Sequence, residues 1–191
     1  PAEYVENIRL GIGEIDRLTQ LVDQLLLMAR FDNPAQEVLR RQEVSVAGGV
    51  HDVLHRHRAE LEARRIRVDV HATDPPAVLA DPYLVDLILD NLLSNAIKYS
   101  PAGSTIGVRL EMVAGRLRCA IIDEGIGIGP EHQQRIFDPL YRADALSHKH
   151  IGGTGLGLSI VAKACALLGI DLSVESELNR GATFTLLFPA E

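Results

Sequence analysis

The stretch IIDEGIGIGP at residues 121–130 decides the fold. Its apolar start is typical of a strand, and the strand ends in Asp123 before glycines that alternate with isoleucines. A carboxylate at a sheet edge can accept a hydrogen bond from an exocyclic amine, and glycines let a flat ring approach the backbone closely. An ordinary glycine-rich turn is the alternative. The alternation exceeds what a turn requires, and we favour a binding site.

The segments around this stretch alternate between strands and helices. Apolar alternation between turn residues predicts strands at 66–70, 105–112, 116–123, 170–175 and 182–188. Capping and stop residues predict helices at 46–64 after Ser45, at 82–99 after Asp81, and at 155–168 before Gly169. Because hairpins occur among these elements, we expect an α/β fold, an α+β two-layer sandwich whose mixed sheet is covered by helices on one face.

A different pattern fills the start of the chain. Apolar residues spaced four and three apart predict one long helix from Glu3 to Phe31, ended by Asn33-Pro34. Its apolar stripe is wide enough for a helical bundle and must be covered by a helix that this chain does not supply. We therefore predict a bundle helix at 1–33, a linker at 34–43 and the α/β domain at 44–191.

Composition narrows the class of protein. The 191 residues carry 19 Lys and Arg against 26 Asp and Glu, and the net charge of −7 disfavours a nucleic-acid partner. Cys119 and Cys165 lie in apolar runs and are predicted to be buried thiols of a reducing compartment. Without a signal peptide or an apolar run of about 20 residues, we expect a soluble intracellular chain. It starts at Pro1, and we expect it to be a piece of a longer protein.

A second motif, NLLSNAIKYS at residues 91–100, places polar groups on one helix face. Asn91, Asn95 and Lys98 fall within about 60° of one another at 100° per residue. Amide oxygens suit a hard cation such as Mg²⁺, and an ammonium suits phosphate. The alternative is a solvated helix face, which Asp90 and Ser94 would extend.

A third motif, GGTGLGLS at residues 152–159, has the glycines of an anion site at a helix N-terminus. It is neither a Walker A loop nor a dinucleotide fingerprint. Before it, residues 137–151 form a locally basic segment that contains Arg142 and Lys149. Such a segment bounded by glycines is typical of a nucleotide lid, with an ordinary surface loop as the alternative.

The order of these motifs is more specific than any one of them. Together with IFDPLYR at residues 136–142 and GATF at residues 181–184, they resemble the catalytic and ATP-binding domain of sensor histidine kinases. The likeness runs from about Val44 to Phe188. It implies the sandwich fold that these kinases share with chaperone and topoisomerase ATPases. RLTQLVDQLL at residues 17–26 looks like the second helix of the family's dimerisation and phosphotransfer hairpin.

The resemblance implies roles for individual residues. Asn95 is the expected Mg²⁺ ligand with Asn91 beside it, and Asp123 is expected to bind the adenine amino group. Lys98 and Arg142 are expected to act on the phosphates and, with Asn95, to be the catalytic residues. The remaining expected ATP-binding residues are Tyr99, Gly125, Gly127, Ile128, Phe137, Gly153, Thr154, Gly155, Leu156 and Gly157.

Two departures from the family pattern stand out. Asp138-Pro139-Leu140 precedes Tyr141-Arg142, which leaves the path of the lid open. The family's phosphoacceptor is a histidine followed by an acid and, four residues later, by a proline. His51-Asp52 has the acid, but Arg56 stands in place of the proline, and the pair follows the second hairpin helix. We predict that His51 is a surface residue and that the acceptor lies outside this chain.

Three functions stay open at this stage. The resemblance implies transfer of the ATP γ-phosphate to a histidine, with a response regulator receiver domain and a second copy, paired through the hairpin helices, as partners. It also implies the cytoplasmic portion of an inner-membrane sensor. An ATP-hydrolysing relative on the same fold would need a base that activates water, and Asp90 is the nearby carboxylate. A non-catalytic ATP-binding module would bind ATP without transfer.

Overall fold

The computed structural model describes residues 2–31, 39–143 and 153–190. The chain divides into two compact units, Pro1–Glu37 and Val38–Glu191. This division lies inside the stretch 34–43 that the sequence assigns to a linker, and the ends of the domains stay a prediction. Within the described ranges, no helix has the length and hydropathy needed to cross a membrane.

The described part of the first unit is the helix α1, at Ala2–Phe31. Its 30 residues contain no proline, which agrees with the predicted span. Five apolar side chains between residues 15 and 26 are each more than half exposed: Ile15, Leu18, Val22, Leu25 and Leu26. A helix of this kind owes most of its stability to packing of its apolar face, so we expect another helix to cover these side chains. That expectation stays a prediction.

The described part of the second unit forms five helices and seven strands. The helices are α2 (Val46–Arg56), α3 (Arg58–Arg64), α4 (Pro82–Tyr99), α5 (Pro130–Gln133) and α6 (Gly157–Leu168). The strands are β1 (Gln42–Val44), β2 (Arg67–Ala72), β3 (Val78–Ala80), β4 (Thr105–Val113), β5 (Arg116–Ile122), β6 (Asp171–Ser176) and β7 (Ala182–Leu187).

Five of the described strands form one mixed sheet in the order β2-β4-β5-β7-β6. Strand β2 runs parallel to β4, and the other neighbours are antiparallel. The β4–β5 hairpin turns through Ala114 and Gly115, which both have positive φ, as a tight hairpin requires. The predicted mixed α/β fold is confirmed. The sequence did not predict the antiparallel pair β1–β3, because three-residue strands are too short for alternation to show.

Helices cover one face of this sheet. Helix α4 packs between α2 and α6, and it also contacts β5, while α6 contacts β6. The strands alternate in burial, and Ile106, Val108 and Ile121 are fully buried. Each such side chain stabilises the fold by roughly 1.5–3 kcal/mol. This core holds the helices α4 and α6 against the sheet, so that the chain after β5 and the segment before α6 lie near α4.

The two cysteines belong to the core. Cys119 lies on β5 and Cys165 lies on α6, and both are buried free thiols. Burial raises the pKa of each thiol to about 12. Both therefore stay protonated and unreactive at neutral pH. The predicted buried thiols are confirmed.

Two predicted helix boundaries are wrong. The helix expected at 46–64 is interrupted at His57, whose φ of −91° and ψ of 7° are not helical. No glycine or proline marks this break in the sequence. Helix α6 starts at Gly157 and not at Gly155, because Gly155 has a φ of +75° that a right-handed helix does not allow. The caps at Ser45 and Asp81 are confirmed, since each side chain accepts a hydrogen bond from the first turn.

Candidate functional site

Helix α4 carries the first predicted group of site residues. Asn91 and Asn95 are both half-buried and lie one turn apart. Asn91 Nδ2 donates to the Leu87 carbonyl at 2.8 Å, which fixes the direction of the amide. Its Oδ1 faces Gly157, where a Cβ atom would lie only 2.7 Å away. The structure thus brings the amides of α4 to the first residue of α6.

Lys98 extends this row to the glycine segment before α6. Its Nζ lies 3.4 Å from the Tyr99 hydroxyl and 4.8 Å from the centre of the Tyr99 ring. The same Nζ lies against Gly153, where a Cβ atom would overlap it. Since Gly153 has no side chain, the ammonium group can sit directly on the backbone of this segment. Lys98 and Asn91 therefore meet opposite ends of the stretch 153–157.

Asp123 directly follows β5 and is 8% exposed. Its Oδ1 accepts hydrogen bonds from Gly125 N at 2.8 Å and from Ala182 N at 3.2 Å. Burial raises the pKa of the carboxyl group, and these two backbone hydrogen bonds lower it in part. Within the described part of the chain, nothing donates to Oδ2. One oxygen thus fixes the carboxylate, and the other is left for a ligand.

The loop after Asp123 needs glycine at two positions. A Cβ atom on Gly125 would lie 2.7 Å from Asp123 Oδ1 and 2.9 Å from the Tyr99 carbonyl oxygen. Gly127 has a φ of +66°, and a Cβ atom there would overlap the Glu177 carbonyl oxygen. The loop is therefore pressed against α4 on one side and against the β6–β7 turn on the other. An ordinary turn would not need both approaches.

The stretch 153–157 forms a second wall. Gly155 accepts a hydrogen bond from Leu140 N at 2.9 Å, and a Cβ atom on Gly155 would collide with the Leu140 backbone. Thr154 Oγ1 accepts from Leu156 N at 3.2 Å. The Leu156 side chain is buried in the core, so this predicted site residue can offer a ligand only its backbone.

The described start of the predicted lid lies beside this wall. Phe137 is half-buried, and Arg142 Nη1 donates to the Gly153 carbonyl at 3.2 Å. Tyr141 lies between His132, whose Nδ1 is 2.6 Å from the tyrosine hydroxyl, and Arg135, which stacks 4.3 Å from the ring centre. Residues 144–151 of the predicted lid lie outside the described residues.

The structure also includes two residues that the sequence analysis missed. Ser176, at the end of β6, accepts a hydrogen bond through Oγ from Ile128 N at 2.9 Å. Gln133 Nε2 donates to the Ile128 carbonyl at 3.1 Å and to the Ser176 carbonyl at 2.7 Å. The two contacts that involve Ser176 join segments 48 and 43 residues apart in sequence, so no local pattern could have indicated them. Both side chains bind the glycine loop through the backbone of Ile128.

The carboxylate nearest to the amides points elsewhere. Asp90 Oδ1 lies 3.2 Å from Arg56 Nη2 and 3.1 Å from His57 Nε2. Arg56 also pairs with Asp86 at 2.8 Å. Asp90 is therefore engaged by the α2–α3 junction on a different side of α4. His51 is exposed on α2, as the sequence predicts.

Comparison with known protein families gives one match over residues 80–191, to the family described as histidine kinase-, DNA gyrase B-, and HSP90-like ATPase. The sensor-like histidine kinase SenX3 of Mycobacterium tuberculosis is 35% identical over 177 residues, which are 93% of this chain and 43% of that protein. The sensor protein IrlS of Burkholderia pseudomallei is 35% identical over 188 residues, which are 98% of this chain and 40% of that protein. The chain spans less than half the length of these relatives.

Solved structures share the fold. Full-length ShkA, crystallised in complex with AMPPNP, matches with a TM-score of 0.80 and 30% identity over 91% of this chain and 36% of that chain. The mycobacterial sensor histidine kinase MprB matches with a TM-score of 0.68 and 27% identity over 78% of this chain and 97% of that chain. The chain is thus similar to sensor histidine kinases over most of its length.

Proposed function

This chain belongs to the histidine kinase-, DNA gyrase B-, and HSP90-like ATPase family, and on that premise we propose that it is the catalytic ATP-binding part of a sensor histidine kinase. The observation that carries the proposal is the meeting of α4 with the glycine stretch before α6. Asn91 Oδ1 faces Gly157 and Lys98 Nζ lies against Gly153. An amide oxygen and an ammonium group thus border bare backbone, which is a setting for a polyphosphate chain.

Asp123 is the residue that we propose for adenine recognition. Its Oδ1 is held by two backbone N–H groups, so Oδ2 keeps a fixed position at the end of β5. A carboxylate oxygen accepts a hydrogen bond from the amino group of adenine, whereas the carbonyl of guanine would oppose it. The glycines of the adjoining loop pack directly against Asp123, Tyr99 and Glu177, so this side of the proposed base site has a fixed shape. ATP is therefore preferred over GTP.

The amides of α4 fit a magnesium ion. Asn91 commits its Nδ2 to the Leu87 carbonyl, so its oxygen is the group offered to a ligand. Asn95 lies one turn further along the same helix, and Mg²⁺ accepts such oxygen ligands together with phosphate oxygens. When bound, the ion neutralises charge on the phosphates. We propose Asn95 as the metal ligand, Asn91 as its neighbour, and Lys98 and Arg142 as the cations that contact the phosphates.

The proposed reaction is transfer of the γ-phosphoryl group to an imidazole nitrogen of a histidine outside these 191 residues. The bond from the γ-phosphorus to the bridging oxygen breaks, the phosphorus–nitrogen bond forms, ADP leaves, and the second ring nitrogen releases its proton to water. Positioning and charge stabilisation account for most of such catalysis, so Lys98 and Arg142 contribute by holding the phosphates. The partners in this proposal are a hairpin helix with the acceptor histidine, a second copy of the kinase, and a response regulator receiver domain. We propose that the chain lies on the cytoplasmic side of a membrane sensor protein.

The contacts of Asp90 argue against ATP hydrolysis as the main activity. A hydrolase of this family type needs a carboxylate or another base that can reach a water beside the γ-phosphate. Asp90 is the carboxylate next to Asn91, and Arg56 and His57 both engage it. We therefore favour transfer to histidine over transfer to water.

Phosphotransfer to a separate acceptor tests this proposal. The chain is incubated with Mg²⁺, γ-labelled ATP and a helical hairpin protein that carries the acceptor histidine. We expect acid-labile label on the hairpin, no label on this chain, and slow transfer because the two parts are not tethered. Asn95→Ala should abolish the Mg²⁺-dependent part of ATP affinity and the transfer, whereas Ser173→Ala on β6 should change neither. Steady phosphate release without labelled hairpin would favour the hydrolase, and ATP binding with neither would favour a binding module.

A further inference from the structure

We propose that Ser176 and Gln133 are positioning residues that set adenine affinity by holding the two walls of the base site at a fixed separation. Neither residue needs to touch the base. One wall is the glycine loop 125–129, and the other is Asp123 with the start of β7. The inference rests on the ATP-binding function proposed above and concerns how the same site selects its base.

Ser176 links the two walls through one hydroxyl group. Its Oγ accepts from Ile128 N at 2.9 Å and donates to the Gly181 carbonyl at 2.6 Å. The hydroxyl proton and a lone pair are thus both used, which fixes the group in one orientation. A hydrogen bond from the loop and a hydrogen bond to the turn before β7 therefore depend on the same atom.

Gln133 holds the same loop residue from its other side. Its Nε2 donates to the Ile128 carbonyl and to the Ser176 carbonyl, at 3.1 Å and 2.7 Å. Ile128 is thus bound at its N–H by Ser176 and at its C=O by Gln133. These two groups belong to the two peptide units on either side of the Ile128 Cα, so neither unit can rotate without breaking one of these hydrogen bonds. The loop is also anchored at Ile126, whose carbonyl accepts from Asn179 N at 2.7 Å.

The second wall is joined to the same network. Gly181 has a φ of +87°, and a Cβ atom there would overlap the Asp123 carbonyl oxygen. The next residue, Ala182, donates through its N–H to Asp123 Oδ1 and accepts from Asp123 N at 2.9 Å. The Ser176 hydroxyl therefore connects the loop that flanks the base with the backbone that aims the recognising carboxylate.

Loss of the Ser176 hydroxyl should therefore weaken binding of the base and leave binding of the phosphates unchanged. Ser176→Ala leaves Ile128 N and the Gly181 carbonyl without this partner, and the loop can then move relative to Asp123. Two hydrogen bonds are lost, but neither reaches the base and only part of their free energy acts on the affinity, so adenine-dependent binding should weaken by roughly 5- to 15-fold. ATP and ADP carry the same base, so both should weaken by the same factor. Magnesium tripolyphosphate, which has no base, should bind as before.

Calorimetric titration of wild type and variants with ATP, ADP and tripolyphosphate tests the inference, with melting temperature measured in parallel. Ser176→Thr keeps the hydroxyl and should restore most of the affinity. Ser173→Ala removes an exposed serine of the same strand and should have no effect. Gln133→Ala, at a half-buried position of the short α5, should weaken ATP and ADP by a few-fold and serves if Ser176→Ala does not fold.

The outcomes separate the inference from the proposed function. If the wild type does not bind ATP, the proposed function fails. If the wild type binds ATP while Ser176→Ala and Gln133→Ala both bind it within twofold of wild type, the inference alone is overturned. Equal weakening of ATP and tripolyphosphate together with a lower melting temperature would also overturn it, because the network would then support only the fold.

Discussion

The two ends of the proposed ATP site are built differently. At the base end, backbone groups hold a buried carboxylate, and two glycines lie against fixed carbonyl oxygens. At the phosphate end, the long side chains of Lys98 and Arg142 contact glycine backbone at Gly153. The base end is therefore rigid before a ligand arrives, while the phosphate end can adjust its side chains to the charge that it meets. Substitutions should affect the two ends through different observables.

The largest expected effect comes from a Cβ atom at the base end. In Gly127→Ala the new atom would overlap the Glu177 carbonyl oxygen, and the φ of +66° is unfavourable for alanine. Backbone strain alone costs about 1–2 kcal/mol, and the overlap adds to it, so we expect a loss of about 3 kcal/mol or more in unfolding free energy. ATP binding should fall below detection. Urea denaturation and calorimetry measure the two effects.

The matched control is Gly103→Ala. Gly103 has a φ of +84° but nothing within 4 Å of its missing Cβ. Backbone strain should lower the unfolding free energy of Gly103→Ala by only about 1–2 kcal/mol, and the variant should keep its ATP affinity. If both variants lose the same stability, the contact with Glu177 is not what requires glycine at position 127, and the base end is less rigid than its contacts imply.

The second effect concerns Asp123 itself. Asp123→Asn keeps an oxygen that can accept from Gly125 N and Ala182 N, but it puts an amide where the charged Oδ2 was. Losing a charged hydrogen bond costs about 1.5–3 kcal/mol, and ATP and ADP should both bind roughly 10- to 150-fold more weakly. Titration with the two nucleotides measures this. Unchanged affinity would remove Asp123 from the base end.

A smaller and selective effect is expected at the phosphate end. Lys98→Ala removes an ammonium group that neighbours Gly153 and Tyr99. Because partly exposed charges are screened by solvent, the loss should be roughly fivefold, and it should be larger for ATP than for ADP. The ratio of the two dissociation constants in the same buffer measures it. A loss equal for both nucleotides would place Lys98 away from the terminal phosphate.

The sequence predicted the local parts of both ends and missed the contacts between distant parts. Asp123, the glycine loop and the polar face of α4 were predictable, because each is a pattern within ten residues. The hydrogen bond between Ile128 and Ser176 was not, since 48 residues separate them. The break at His57 also left no signal, because no glycine or proline lies at this point of the sequence. The α/β fold needed only alternation and turn residues.

The smallest expected effect is a pH dependence of stability at the base end. Burial raises the pKa of Asp123 above the ordinary value of 3.8, so the folded protein holds this proton at pH values where the unfolded chain has lost it. Between the pKa of Asp123 in the unfolded chain and its higher pKa in the folded protein, the contribution of this residue to the unfolding free energy falls as pH rises. Above the folded-state pKa, the buried charge lowers the unfolding free energy by a constant amount. Asp123→Asn cannot titrate.

The unfolding free energy of Asp123→Asn relative to wild type should therefore rise as pH increases just above 3.8 and then level off. Urea unfolding of both proteins at closely spaced pH values measures this difference in unfolding free energy. The slope of the difference against pH is the result that tests the prediction. Its absolute size does not, because the changed hydrogen bonds shift all points equally. A difference that does not vary with pH would mean that the folded and unfolded chains bind this proton alike. The hydrogen bonds from Gly125 N and Ala182 N would then offset the cost of burying the carboxylate, and burial of charge would not distinguish the base end from the phosphate end.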